Sequence, residues 1–152
     1  MALVAFTKLR LKKINFLVCG DYLIPFAMLH QAMVRVGCFL NGCCYGKPTK
    51  LPWGCEFANV AGKRHPTQLY ETAILLLTYF LMRAFYKKKS APAGVVFFST
   101  IGMYTALRFF VEFFRVDSFP VLWSITYAQV WLFNITASCA VAIGIVILTR
   151  KK

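Results

Sequence analysis

The chain has 152 residues, enough for one domain, and combines a net charge of +13 with 59% hydrophobic residues. Its mean hydropathy of +0.62 lies well above that of an ordinary soluble domain. The position of the cations excludes nucleic acid as their partner. They cluster from Lys8 to Lys13, Arg83 to Lys89 and Arg150 to Lys152, where apolar runs stop, which is how cytoplasmic loops are marked in membrane proteins. Anionic phospholipid headgroups are the partner such charge predicts.

In chain order, the opening residues are weakly apolar and run into the first basic cluster without a cleavage-like small-residue site, so no secretory leader is expected. Residues 14–40 form an apolar segment interrupted by Asp21, Pro25, His30 and Arg35. A plain lipid-facing helix does not carry such residues, so the first span is expected to be broken or re-entrant, or packed against protein. A polar loop over 41–67 follows, and further spans are predicted over 68–86, 91–114 and 123–148. The last, Trp123 to Leu148, runs 26 residues without Lys, Arg, Asp or Glu, more than the roughly 20 apolar residues a crossing needs. The expected fold is an all-α integral membrane protein, a single domain over 1–152 with about four transmembrane helices. Four crossings place both termini and the basic clusters on the cytoplasmic side. Loop 41–67 and the turn from Arg115 to Pro120 then share the opposite face.

Charges inside spans cost roughly 2.5–3.5 kcal/mol each on insertion scales and usually face a partner or a cavity. Tyr104, Arg108, Glu112 and Arg115 follow one another at spacings of 4, 4 and 3, which puts them on one helical stripe with Arg108 and Glu112 able to pair. One reading is a structural ion pair that locks helix packing. The other is a cationic pocket for a phosphate, which the planar arginine fork suits. The string "RHPTQLYE", Arg64 to Glu71, opens the second span. Pro66 fits a first helical turn, and Thr67 and Gln68 are expected to satisfy free N–H groups there. Gln68 and Glu71 share a face, so Arg35, Asn41, His65, Gln68, Glu71, Arg108, Glu112 and Arg115 are expected to converge near one membrane face. A lone histidine after an arginine is more often a capping or packing residue than a base, and the clustering favours the functional reading.

Of six cysteines, Cys19 and Cys139 lie in apolar runs, where a thiol is a small buried hydrophobe. Cys38, Cys43, Cys44 and Cys55 are close enough in sequence to form a constellation. Their spacing lacks the CxxC of a typical zinc site, and adjacent Cys43 and Cys44 on a helix would diverge. Two readings stand: packing neighbours of Arg35 and Asn41, or thiol chemistry and metal binding with His65.

The strings "VRVGCFLNGCCYGKPT", "LPWGCEF", "RHPTQLYE" and "RFFVEFFRVD", in that order, resemble the prolipoprotein diacylglyceryl transferase family over Asp21 to Leu148. The family signature matches at Arg35, Gly37, Phe39, Asn41, Gly42 and Gly46. The resemblance implies a multi-pass enzyme of the bacterial inner membrane, with its site toward the periplasm. It would move diacylglyceryl from phosphatidylglycerol to the lipobox cysteine thiol of a prolipoprotein and release glycerol phosphate. No metal or cofactor is implied. Carried over, Arg35 and Asn41 bind the headgroup, and Arg108 holds the phosphate with Tyr104, Glu112 and Arg115 in support. Gly46, Gln68 and Glu71 complete the substrate-binding set, and His65 is the candidate base beside Arg108 and Glu112.

The chain departs from the family in three ways. It resembles the last four of about seven spans, and the family's His-Gly-Gly motif is absent from it. Cys38 and Cys43 stand where the signature has a second Asn and a Glu. Lys47 stands where the family has an arginine. These departures give two further expectations: association with itself or a second membrane chain, and, as alternatives to catalysis, a non-catalytic phospholipid-binding subunit or a cysteine-based metal or redox membrane protein.

Overall fold

A computed structural model of the chain describes residues 15–87, 91–116, 120–122 and 125–150. The basic residues Lys8 to Lys13, Lys88, Lys89, Lys151 and Lys152, together with Asp117 and Trp123, lie outside the described residues. Among the described residues four helices carry the architecture: α1 Phe16–Leu40, α2 Thr67–Lys87, α3 Val95–Glu112 and α4 Tyr127–Arg150. Two short antiparallel hairpins join them, β1 Cys55–Phe57 with β2 Val60–Arg64, and β3 Pro120–Leu122 with β4 Ile125–Thr126.

Helix α1 starts at Asn15, whose side chain accepts the Leu17 N–H at 3.0 Å, the usual way an orphan donor is met at a helix start. It stops where Gly42 takes a positive φ of 66°, a backbone that glycine adopts without Cβ strain. Between these caps it is one continuous helix of 25 residues with Pro25 inside. This corrects the expectation of a broken or re-entrant first span. The polar residues that interrupt it are met by protein rather than by a bend. The Asp21 carboxylate accepts the N–H of Gly94 at 2.6 Å and of Phe97 at 2.7 Å, while Arg35 pairs with Glu71. Asp21 therefore caps α3 from across the bundle, because Gly94, with φ 95°, offers no side-chain cap of its own.

Helices α1, α2 and α3 pack mutually, and α4 packs on α3. The α3–α4 seam uses small and hydroxylated residues. A Cβ on Gly102 would sit 3.2 Å from Cys139, and the hydroxyls of Thr105 and Thr136 share a 2.8 Å hydrogen bond. Close approach and interhelical hydrogen bonds hold helices together where lipid removes the hydrophobic drive. Helix α4 begins with a reciprocal capping box, the Thr126 N–H on Gln129 Oε1 at 2.9 Å and the Gln129 N–H on Thr126 Oγ1 at 3.2 Å, which satisfies two orphan donors at once.

By length and composition α1, α3 and α4 are apolar enough to cross a membrane. Helix α2, 21 residues long, falls short because its inner face is polar: Thr67, Gln68, Glu71 and Thr78 are buried with Leu75, while Leu69, Leu77, Phe80, Leu81 and Phe85 face outward.

Candidate active site

Glu71, one turn into α2 and 2% exposed, is the centre of a charged network. Its Oε2 pairs with Arg35 Nε of α1 at 2.7 Å, and its Oε1 pairs with Arg108 Nε of α3. Arg108 Nη1 in turn reaches Glu112 Oε2 at 2.7 Å, one turn along α3. The chain Arg35–Glu71–Arg108–Glu112 thus ties three helices together with two positive and two negative charges. A lone ion at this depth would cost several kcal/mol, whereas alternating pairs offset part of that penalty, and the Arg108–Glu112 pair is also a hydrogen bond. Tyr104, one turn before Arg108, stands beside Arg35, Glu71 and Arg108. The Arg35 side chain is 18% exposed against 3% for Glu71, so the network opens to its surroundings at Arg35. With about 1.5 Å of rise per residue, the network lies roughly 6–8 Å inward of the helix ends that carry the loop.

That loop is held down by α2. Thr67 Oγ1 donates to the Cys44 carbonyl at 2.8 Å and Gln68 Nε2 to the Cys43 carbonyl at 2.5 Å. The sequence reading had these two side chains meeting free N–H groups; the structure has them donating to carbonyls. The reason is that loop 41–46 turns back over the start of α2 and presents its oxygens there. Gln68 consequently touches the loop and not the charged network, and its buried Oε1 has no hydrogen-bond partner among the described residues.

Gly46 is the point of closest approach. Its N–H donates to the His65 carbonyl at 2.8 Å, and it bridges to Arg115 at the end of α3. An added Cβ would meet Phe114 O, His65 Cβ at 2.7 Å and Thr67 Cγ2 at 2.8 Å. The half-buried Arg115 is therefore fixed at the loop by its backbone.

Besides Gln68, Gly46 and Arg115 at the loop, His65 and Asn41 also lie outside the network. His65 Nδ1 is 3.1 Å from the Tyr70 hydroxyl, which also accepts the indole N–H of Trp53 at 3.0 Å. Its ring tilts against Phe114 with centroids 5.0 Å apart. Asn41 is exposed and ends α1, its N–H on Gly37 O at 3.0 Å. It lines a groove of about 300 Å³ with Phe39, Gly42, Glu56 and Phe57.

The cysteines behave differently from the expectation that Cys43 and Cys44 diverge. They lie beyond α1, not on it, and Cys44 has a left-handed φ of 62°. The sulfurs of Cys38, Cys43 and Cys44 come within 4.8 Å of one another. Partial burial and the adjacent Cys44 and Cys38 hold the Cys43 thiol above its ordinary pKa.

A groove of about 600 Å³ lies at the other end of the bundle between Asp21, Tyr22, Arg83 and Tyr86. Its buried carboxylate is already spent on the start of α3, so it offers less chemistry than the smaller volumes around the loop.

Sequence reasoning had named Glu71 but not its position between two arginines from different helices. Asp21, an interruption in the apolar pattern of the first span, is in the structure the cap of α3.

The chain matches the prolipoprotein diacylglyceryl transferase family model over residues 1–149. Relatives named phosphatidylglycerol–prolipoprotein diacylglyceryl transferase include those of Geobacter sulfurreducens, 43% identical over 70% of this chain and 41% of the relative, and Clostridium tetani, 43% identical over 64% and 41%. That of Pseudoalteromonas atlantica is 37% identical over 70% and 38%. The chain spans about two fifths of the length of these relatives. Its helices, its buried charges and this match agree: the chain belongs to the prolipoprotein diacylglyceryl transferase family, and is a membrane protein.

Proposed function

We propose that this chain carries the headgroup-handling site of a diacylglyceryl transfer from phosphatidylglycerol to a prolipoprotein cysteine thiol. The observation that supports it most is the buried network Arg35–Glu71–Arg108–Glu112. In the reaction the thiol sulfur attacks the glyceryl carbon. The carbon–oxygen bond to phosphate breaks with its electron pair on oxygen, and the thiol proton leaves to a base. Negative charge gathers on the phosphate. Guanidinium groups already fixed in a water-poor site stabilise that charge without reorganising.

Glu71 and Glu112 hold the Arg108 fork in one orientation, and Arg35, on the exposed side of the network, meets the lipid first. Tyr104 adds a hydroxyl donor to the same side. Arg115 supplies a third guanidinium at the loop, where Asn41 and Gly46 shape the approach. Glu71 and Gln68 act as positioning residues, one on the arginines and one on the loop. For the proton, His65 is the candidate base, and Tyr70 fixes its orientation through Nδ1.

The loop face is assigned to the periplasmic side of a bacterial inner membrane and both termini to the cytoplasm. The support is Lys87, at the end of α2 opposite the loop, and the basic clusters that flank the apolar spans in the sequence. The substrates are phosphatidylglycerol and the signal-peptide region of a prolipoprotein. The outward apolar faces of α1 and α4 suit lipid, a second copy of the chain or another membrane subunit.

The test is the protein in liposomes with headgroup-labelled phosphatidylglycerol and a lipobox cysteine peptide. The expected result is a peptide that gains diacylglyceryl with release of glycerol phosphate, both lost in Arg108→Ala while the variant stays folded. Turnover unchanged in Arg108→Ala would overturn the assignment. Lipid retention without turnover, weakened by the same substitution, would favour a phospholipid-binding subunit that works with another chain.

A further inference from the structure

We propose that Cys38, Cys43 and Cys44 form a three-thiolate site for a soft d¹⁰ metal ion of the Zn²⁺ class. Nothing in the transfer chemistry uses these thiols. Their convergence has a definite structural cause. Cys38 is on the last turn of α1, and the chain then reverses through Gly42 at φ 66° and Cys44 at φ 62°. Two left-handed residues in three place the sulfurs at 38, 43 and 44 on one side of the turn, all within 4.8 Å of one another. A left-handed cysteine is strained and persists only where its surroundings hold it. Here Gln68 Nε2 holds the Cys43 carbonyl at 2.5 Å and Thr67 Oγ1 the Cys44 carbonyl at 2.8 Å. A site whose backbone is fixed before the ion arrives loses little on ordering.

The distances fit the ion. Zinc–sulfur bonds of about 2.3 Å in tetrahedral geometry put ligand sulfurs about 3.8 Å apart. Rotations that draw the sulfurs together by about 1 Å reach that value. All three cysteines are half-buried, so an ion can enter. A groove of about 300 Å³ lined by Gly42, Cys43, Cys44, Tyr45, Asn59 and Val116 leaves room for a fourth ligand from solution. Thiolates select soft ions over the hard Mg²⁺ and Ca²⁺, and binding releases the thiol protons to solvent. Cys55 is outside the trio: its thiol donates to the Trp53 carbonyl at 3.7 Å on the hairpin.

The experiment titrates Co²⁺ into the reduced full chain in detergent, with Zn²⁺ as competitor. One equivalent is expected to give sulfur-to-cobalt charge-transfer absorption and intense tetrahedral d–d bands, which Zn²⁺ abolishes. Cys38→Ser, Cys43→Ser and Cys44→Ser should each weaken Co²⁺ binding by more than the roughly 10–100-fold that loss of an outer-shell partner costs, and Cys55→Ser should not. In the unaltered chain, Zn²⁺ should protect three thiols from maleimide, read by mass spectrometry at Cys38, Cys43 and Cys44. Absence of charge-transfer bands, equal protection of Cys55, or a disulfide within the trio after reducing purification would each overturn the proposal.

Discussion

Helices α2 and α4 are near neighbours in length, 21 and 24 residues, and opposites in what they bury. Helix α4 presents Trp131, Phe133, Val141 and Leu148 outward and buries little beyond Gln129 and Cys139. Helix α2 turns Leu69, Leu77, Phe80, Leu81 and Phe85 outward and keeps threonine, glutamine and glutamate inside with Leu75. One is held by lipid and a seam of small residues; the other is held by hydrogen bonds and charge. The contrast shows where a polar residue is worth its cost in a membrane. On α2 Thr67 and Gln68 meet the loop and Glu71 meets α1 and α3, and the site is assembled from those meetings.

The largest test of this contrast is Glu71→Gln. It removes the negative charge between two arginines, and breaking a buried pair in this way costs about 3–5 kcal/mol. Thermal unfolding in detergent should fall steeply, and diacylglyceryl transfer should be lost. Next is Gly46→Ala, whose methyl has no room between Phe114, His65 and Thr67. Overpacking of about 1–3 kcal/mol is expected, read as lower stability together with faster proteolysis of loop 41–66.

Asp21→Asn should have an intermediate effect at the opposite end. It keeps an acceptor for the start of α3 but loses the charge that favours a helix N-terminus. A loss of about 1 kcal/mol is expected, with transfer activity retained in proportion to folded protein. The smallest effect belongs to α4. Gly144→Ala meets nothing within 4 Å and should leave stability within about 0.5 kcal/mol or raise it slightly. A loss from Gly144→Ala as large as that from Gly46→Ala would erase the distinction between the two helices.

The sequence announced some of this plainly. The 4-residue spacing of Arg108 and Glu112 predicted a pair, and the pair is there. The long uncharged run became α4. What stayed hidden depended on three dimensions. Nothing in "QLYE" says that Glu71 takes one arginine from α1 and another from α3. Nothing in Asp21 says that its partners are the N–H groups of Gly94 and Phe97, more than seventy residues away. The cysteines misled because local periodicity assumed a helix, whereas Gly42 had already ended it. His65 kept company with Tyr70 and Phe114, a packing choice that spacing alone does not encode.

The partners of α1 also constrain how the molecule is made. Helix α1 carries Asp21 and Arg35 in its own span, yet the groups that satisfy them are Glu71 on α2 and the start of α3. During synthesis α1 emerges before α2 and α3, with two charges that would each cost roughly 2.5–3.5 kcal/mol at mid-bilayer and ahead of the groups that satisfy them here. It gains its full stability in lipid only when α3 has followed, so the first three helices are committed to the membrane as one cooperative unit. Helix α4, which asks almost nothing of its neighbours, is free to insert on hydrophobicity alone.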